Sequence, residues 1–324
     1  MKIYITRKIP EIGIKILKDK GYEVDINPED KVLSKSELIK VLKNNSYDAA
    51  LCLLTDKIDG DVFDAAGSVK IFANYAVGFD NIDLEAAQKR GVMVSNTPGV
   101  LSEAVAEHSV ALMLAVARRI AESDKFVRAG KYKGWAPMLL LGGGLSGKTV
   151  GIIGLGRIGT KTAHIASQGF GAKVIYYDIK RNEDFEKEFP SGSIEFKPSI
   201  GEVLKDADFV SIHLPLTEQT KHIINKEKLA LMKPTAYLVN TSRGPIVDEN
   251  ALAEALKNKI IRGAGLDVFE FEPKISKGLL KLDNVVLTPH TASATEEARS
   301  KMAEVAAQNI IEALEGRIPP NLIK

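Results

Sequence analysis

Cysteine is almost missing from this chain of 324 residues: Cys52 stands alone. An internal disulfide framework is therefore excluded, and a reducing, intracellular location fits. Cys52 sits in the apolar run Ala49 to Leu54, where a buried strand residue is a simpler reading than a nucleophile. Charge of one sign is lacking too. Lys and Arg number 44 against 42 Asp and Glu, for a net charge of +2 without a long basic block. Neither nucleic acid nor an anionic membrane is indicated as a partner. No apolar run approaches a membrane span. The opening MKIYITRKIPEIG reads as a strand and turn, with no signal-peptide core, so a cytoplasmic protein is expected. The remaining composition, 45% hydrophobic and 27% charged, is ordinary for a soluble globular protein. The length allows two domains with substantial cores.

What is present is a repeating α/β pattern. Lys2–Thr6, Tyr22–Ile26, Ala49–Leu54, Val69–Ala73 and Val92–Ser95 read as strands. Helices fall between them, including Ile12–Lys20, Ser36–Asn44 and Leu84–Arg90, with Gly21 and Gly91 where helices should stop. Five such repeats imply a doubly wound parallel sheet. Ser102 opens a long helical pattern that continues through Arg118 to about Val127, apolar on more than one face. Gly130 to Gly147 is irregular and holds the only tryptophan, Trp135. A second series starts at Thr149, with strands at Thr149–Leu155, Lys173–Tyr177, Phe209–Leu214, Ala236–Asn240, Gly263–Val268 and Val285–Thr288. A last helix, Thr295 to Leu314, has no strand of its own and is expected to return to the first domain. That gives residues 1–98 plus 293–324 as one domain and 99–292 as a second domain inserted in it.

Two glycine motifs compete for attention. Gly154, Gly156 and Gly159 form G-x-G-x-x-G directly after the Thr149 strand and open a helical pattern with Arg157 and Ile158. One glycine serves the tight turn, one the approach to a pyrophosphate, one the packing of helix on strand. The helix N-terminus adds free N–H groups and partial positive charge. Asp178 ends the next strand roughly 20 residues further on, where a ribose-binding carboxylate belongs. The second motif, Gly142 to Thr149, matches the P-loop pattern G-x-x-x-x-G-K-T letter for letter. A P-loop needs its Lys and Thr to open a helix, whereas Lys148 and Thr149 open a strand. The match reads as accidental, its glycines as a flexible approach to the strand.

Three further motifs lie at strand ends: Asn240-Thr241-Ser242-Arg243-Gly244, Asp267-Val-Phe-Glu-Phe-Glu272-Pro, and Thr288-Pro-His290. With the central glycine motif, their order and spacing resemble the D-isomer-specific 2-hydroxyacid dehydrogenases along essentially the whole chain. The resemblance implies a flavodoxin-like substrate domain with an inserted Rossmann dinucleotide-binding domain, NAD as cofactor, and a homodimer joined through the cofactor domains with Trp135 near the interface. It makes Arg243 the substrate-binding arginine, His290 the acid/base and Glu272 its carboxylate partner, with Glu270 as a competitor for that place. The cofactor would meet Gly154, Gly156, Arg157, Ile158, Gly159, Asp178, His213, Pro215, Thr241, Ser242, Arg243, Asp267, His290 and Ala292. Asp267 has a strand-end cap as its simpler alternative. Tyr75-Ala76-Val77-Gly78 resembles the family loop whose backbone N–H groups hold the substrate carboxylate. No metal ligand is assigned.

The chemistry asks for these residue types independently. Reducing a 2-oxo acid needs a hydride at the carbonyl carbon and a proton at its oxygen. A histidine, with an unperturbed pKa of about 6.5, can supply that proton near neutrality. A neighbouring carboxylate orients the ring and favours the imidazolium. An arginine offers a planar fork to the substrate carboxylate. Among the other histidines, His108, His164 and His222 read as helix or loop residues, while His213 is the second choice for acid/base. Leu53 to Asp59 and Gly134-Trp135-Ala-Pro137 resemble the glyoxylate and hydroxypyruvate reductase branch, but Gly142–Gly144 depart from it. 3-Phosphoglycerate dehydrogenase and D-lactate dehydrogenase stay open as alternatives. So does a non-enzymatic, corepressor-like protein that senses NAD(H).

Overall fold

The computed structural model describes residues 1–190 and 192–323, so position 324 of the first expected domain lies outside the described residues. The chain divides into two compact units, Met1–Leu101 with Ala294–Lys324, and Ser102–Ser293.

The first unit contains β1 (Lys2–Ile5), α1 (Glu11–Asp19), β2 (Glu23–Ile26), α2 (Lys35–Asn44), β3 (Ala49–Leu53), α3 (Gly60–Ala65), β4 (Ile71–Tyr75), α4 (Leu84–Lys89) and β5 (Met93–Ser95). Its strands form a parallel sheet in the order β2-β1-β3-β4-β5, the flavodoxin-like arrangement. The fourth strand starts two residues later than Val69, because Val69 is tied into the turn after α3 by its N–H to Ala66. Gly21 and Gly91 stand just past helix ends at φ +81° and +65°, a region costly for other residues. Cys52 is fully buried in β3. The chain's last helix packs on α1, β3 and β4 of this unit.

The second unit begins with α5 (Ser102–Ala117) and α6 (Ile120–Arg128), which the sequence pattern joins into one helix. The break has a clear cause. Arg119 turns left-handed at φ +54°, and the Ala117 carbonyl accepts the Gly143 N–H at 2.8 Å. A Cβ on Gly142 would overlap that same carbonyl, and one on Gly143 would press on the Tyr237 hydroxyl. These glycines are thus packed against a helix end, which corrects their reading as a flexible approach.

Then follow β6 (Thr149–Ile153), α7 (Arg157–His164), β7 (Lys173–Tyr177), α8 (Glu183–Glu186), β8 (Ile194–Phe196), α9 (Ile200–Asp206), β9 (Phe209–Ile212), α10 (Lys226–Leu229), β10 (Tyr237–Asn240), α11 (Glu249–Lys257), β11 (Gly263–Leu266), β12 (Val285–Leu287) and, returning to the first unit, α12 (Glu296–Leu314), capped by Thr295. The short, half-buried β8 escapes a sequence reading because three residues carry too little pattern. All pairs in the sheet β12-β11-β10-β9-β6-β7-β8 are parallel. Strand order reverses between β6 and β9, and that switch point is where open α/β sheets leave a crevice. Apolar side chains cover both faces of these central strands, as parallel sheets require.

Candidate active site

The carboxyl edge of the seven-stranded sheet gathers the second unit's candidate residues. Gly154 follows β6 at φ +95°, and a Cβ there would stand 2.7 Å from the His213 carbonyl oxygen after β9. A Cβ on Gly159 would overlap the Gly154 carbonyl, so α7 can sit directly on the turn. Around Gly156 there is open space, and no side chain caps α7. The N–H groups of Arg157 and Ile158, in the first turn, have no intrahelical acceptor, as at any helix start. Such a cradle suits a pyrophosphate.

Asp178 stands just past β7. Its carboxylate accepts the Leu155 N–H at 2.6 Å and the Ile179 N–H at 2.7 Å, which fixes it beside the glycine turn. A cavity of about 720 Å³ opens here, lined by Leu155, Asp178, Lys180, Arg181 and Asn182 among others. Arg181 does not face this space uncommitted: its guanidinium grips Glu186 through Nε at 2.9 Å and Nη2 at 2.7 Å. Lys180 is the remaining cation among the lining residues.

After β10 the Asn240 side chain shapes the next turn. Its Oδ1 accepts from the Ser242 N–H and hydroxyl, and its Nδ2 donates to the Arg243 carbonyl at 2.9 Å. Thr241 is buried and shares a 2.7 Å hydrogen bond with Ser109 of α5. The Arg243 guanidinium donates to the Ser242 carbonyl at 2.8 Å. Gly244 is pressed so closely on Phe269 and Glu270 that any Cβ would overlap their backbone. Glycine is needed there, and the contact couples the arginine turn to the segment carrying Glu272.

Glu272 and His290 meet: the carboxylate Oε2 is 2.9 Å from the ring Nδ1, while Oε1 accepts the Phe269 N–H at 2.9 Å. Burial pushes the Glu272 carboxyl up, but the bonds from His290 and Phe269 and the charge of Arg243 outweigh it. The group is held below its usual range. His290 itself sits at φ +55°, a conformation costing a non-glycine residue about 1–3 kcal/mol unless neighbours enforce it. Enforcement comes from Asp267. Its backbone carbonyl accepts the His290 N–H at 2.8 Å. Its fully buried carboxylate accepts the N–H groups of Thr291 and Ala292, both at 2.8 Å, and the Thr288 hydroxyl at 2.6 Å. Asp267 therefore ties the end of β11 to the loop on both sides of His290. With Nδ1 committed to Glu272, Nε2 is the ring nitrogen left to carry a transferable proton.

His213 does not suit acid/base work. Desolvation pushes its imidazole down to about 3, and its Nε2 is 2.9 Å from the Ser211 hydroxyl. Pro215, two residues on, is exposed at the same edge. Glu270, the competitor of Glu272, pairs instead with His222, Nε2 to Oε1 at 2.7 Å. His164 stacks on Phe189 behind α7. One contact is invisible to sequence reading. His108 of α5 lies 3.0 Å from the Thr288 hydroxyl, and no spacing rule links positions so far apart.

In the first unit, the segment after β4 shows a one-sided commitment. The carbonyls of Ala76, Val77 and Gly78 accept from the Thr97 N–H, the Asn96 amide and the Asn74 amide. Among the described residues, no acceptor takes the N–H groups of Val77 and Gly78. Two adjacent free donors form a nest that favours an anion.

The chain has well-matched relatives among known proteins. Residues 110–292 match the NAD binding domain of D-isomer specific 2-hydroxyacid dehydrogenases. The chain is 51% identical to a glyoxylate reductase of Thermococcus litoralis, over 99% of this chain and 96% of that protein. It is similar throughout to the crystal structure of the TT0316 protein from Thermus thermophilus, with TM-score 0.92, 42% identity and full coverage of both chains. It is also similar to an NADPH-dependent glyoxylate/hydroxypyruvate reductase from Sinorhizobium meliloti, solved with NADP and malonate. There the TM-score is 0.85 and identity 29%, over 99% of this chain and 96% of that one.

Proposed function

The chain belongs to the D-isomer-specific 2-hydroxyacid dehydrogenase family, and from that premise we propose that it reduces glyoxylate or hydroxypyruvate to the 2-hydroxy acid, using NADH. The observation that carries this reading is the His290–Glu272 contact of 2.9 Å on a loop fixed by buried Asp267. The bound nicotinamide supplies hydride. Arg243 holds the substrate carboxylate through its planar fork. Negative charge grows on the carbonyl oxygen as its carbon is reduced, and His290 Nε2 delivers the proton there. Glu272 orients the ring and favours the protonated state from which that transfer starts. In the opposite direction the same nitrogen takes the hydroxyl proton. Ala76, Val77 and Gly78 are the substrate-binding segment of the first unit, a role supported by the unpaired N–H groups of Val77 and Gly78.

The cofactor residues follow the same reading. Gly154, Gly156, Arg157, Ile158 and Gly159 hold the pyrophosphate, and Asp178 accepts from the ribose hydroxyls. His213, Pro215, Thr241, Ser242, Arg243, Asp267, His290 and Ala292 line the remaining strand ends. A 2′-phosphate beside Asp178 would meet like charge. Arg181 is already paired with Glu186, which leaves Lys180 as the uncommitted cation among the described residues lining that cavity. NADH is accordingly the better reductant here, unlike the Sinorhizobium enzyme.

The protein works as a homodimer. Ile120, Val127, Tyr132, Trp135 and Met138 leave a run of exposed apolar side chains along α6 and the following loop, with Trp135 83% exposed. Runs of this kind are covered in stable assemblies. Steady-state assays with glyoxylate, hydroxypyruvate, pyruvate and 3-phosphohydroxypyruvate test the substrate. The highest kcat/KM is expected for one of the first two. NADH binding without turnover of any of the four would favour a binding protein over a catalyst.

A further inference from the structure

Beneath the His290 loop lies a hydrogen-bonded chain that the reaction as described does not use. Thr288 has a single hydroxyl proton, and a carboxylate can only accept, so its 2.6 Å contact with Asp267 Oδ1 has Thr288 donating. The same hydroxyl oxygen, 3.0 Å from His108 Nε2, must then accept from that nitrogen. His108 thus carries its proton on Nε2. It is also 3.5 Å from Asp267 Oδ1, the one ion-pair partner of that fully buried carboxylate among the described residues. Asp267 in turn receives the N–H groups of Thr291 and Ala292 and holds the His290 N–H through its carbonyl. The order is therefore α5, end of β12, end of β11, and then the loop that keeps His290 left-handed.

We propose that His108 is a positioning residue for proton transfer, acting through Thr288 and Asp267 to hold His290 against Glu272. The inference rests on the reading of His290 as proton donor. His108 fills two needs at once: it completes the Thr288 hydroxyl, and it sets an N–H donor 3.5 Å from a fully buried carboxylate. Without it, Thr288 can turn away, and Asp267 Oδ1 is left with its Thr291 contacts alone. The His290 loop then relaxes from its left-handed turn, and the Nδ1–Glu272 contact loosens. The charged groups bearing on the His290 ring in this unit are Glu272 at 2.9 Å, Arg243 acting through Glu272, and Asp267 below the loop. Loss of the Glu272 contact frees the ring to turn, so Nε2 is no longer held toward the reacting oxygen.

The test compares His108→Ala, His108→Gln and Thr288→Val with the wild-type protein. Glutamine keeps an N–H donor near the place of Nε2, and circular dichroism and thermal melting check folding. The first readout needs neither cofactor nor turnover: the imidazole N–H resonance of His290 Nδ1, whose NMR position reports its hydrogen bond to Glu272 and which is tractable with five histidines. Weakening or loss of that hydrogen-bonded Nδ1–H signal is expected in His108→Ala and Thr288→Val, with recovery in His108→Gln. The second is glyoxylate reduction, where kcat should drop about tenfold to a hundredfold, the scale of small misplacements, with KM for glyoxylate and NADH affinity unchanged. An unchanged His290 Nδ1–H resonance and unchanged kcat in folded His108→Ala would overturn the proposal. So would a glutamine variant no better than alanine whose only defect is a lower Tm. A wild-type protein that turns over none of the 2-oxo acids would instead defeat the functional reading, while the Nδ1–H resonance would still decide whether His108 positions His290.

Discussion

Of the histidine–glutamate pairs described in the second unit, His164 with Glu188 at 3.0 Å belongs to the outer end of α7, while two others near the site are close to twins by distance: His290 to Glu272 at 2.9 Å and His222 to Glu270 at 2.7 Å. Both histidines have positive φ, +55° and +50°. Their glutamates differ in what else they do. Glu270 is 9% exposed and locked to Glu249: the Glu249 N–H donates to Glu270 Oε2, and the Glu270 N–H donates to Glu249 Oε2. His222 donates its N–H to the Pro245 carbonyl, next to a bridge between Ile224 and Val247. That pair clamps the strap after Arg243. Glu272 spends one oxygen on the Phe269 N–H and gives the other to His290, whose loop is held by Asp267 rather than by the pair itself. A histidine–carboxylate distance therefore does not identify an acid/base.

The contrast can be sharpened by substitution. The largest effect is expected for His290→Ala, a loss of kcat of about 10²–10⁴-fold, the usual range for general acid–base catalysis, with NADH affinity kept. His222→Ala should leave kcat within a few-fold and lower Tm instead. Arg243→Lys comes next. A point charge cannot replace a planar fork, so kcat/KM should fall about 10–100-fold, the loss of one or two charge-assisted hydrogen bonds. Asp178→Ser should move the ratio of kcat/KM for NADPH over NADH upward by about tenfold or more. Better use of NADPH by the unchanged protein would show that Lys180 and Arg181 dominate.

The smallest effect is in stability. Glu272 titrates below the usual range, so its contribution is complete above the unfolded carboxyl pKa of about 4.3 and is lost as pH falls through the lower, folded value. Glu272→Gln removes that contribution at every pH. In urea melts the gap between the two proteins should be constant near pH 7 and close below about pH 4. A gap that widens on acidification would reverse the sign.

Much of the fold is legible because parallel strands announce themselves. Lys173–Tyr177 reads correctly to the residue, and the glycine spacing 154-156-159 places a turn that the backbone needs. The break at Arg119 is not legible: the apolar pattern runs on, and the cause is Gly142 and Gly143, distant in sequence, seated on the Ala117 carbonyl. Those same glycines look like half of a P-loop. Motif letters record which residues are small, not what they are small for. At the site, strand-end motifs point to Arg243 and His290, yet residue types cannot choose between Glu270 and Glu272. Only the register of the loop after β11 separates them in space. The Thr288 link to His108 is tertiary throughout and leaves no trace in spacing.

The central claim, that one of the two pairs works in turnover and the other only in structure, is tested most directly by two double-mutant cycles read in kcat for glyoxylate reduction. For His290→Ala and Glu272→Gln, the double variant should be about as slow as His290→Ala alone, because residues acting as a unit are strongly non-additive. For His222→Ala and Glu270→Gln, all variants should stay near wild-type kcat, with coupling visible only in Tm. Additive losses in the first cycle, or a large coupled loss of kcat in the second, would contradict the account.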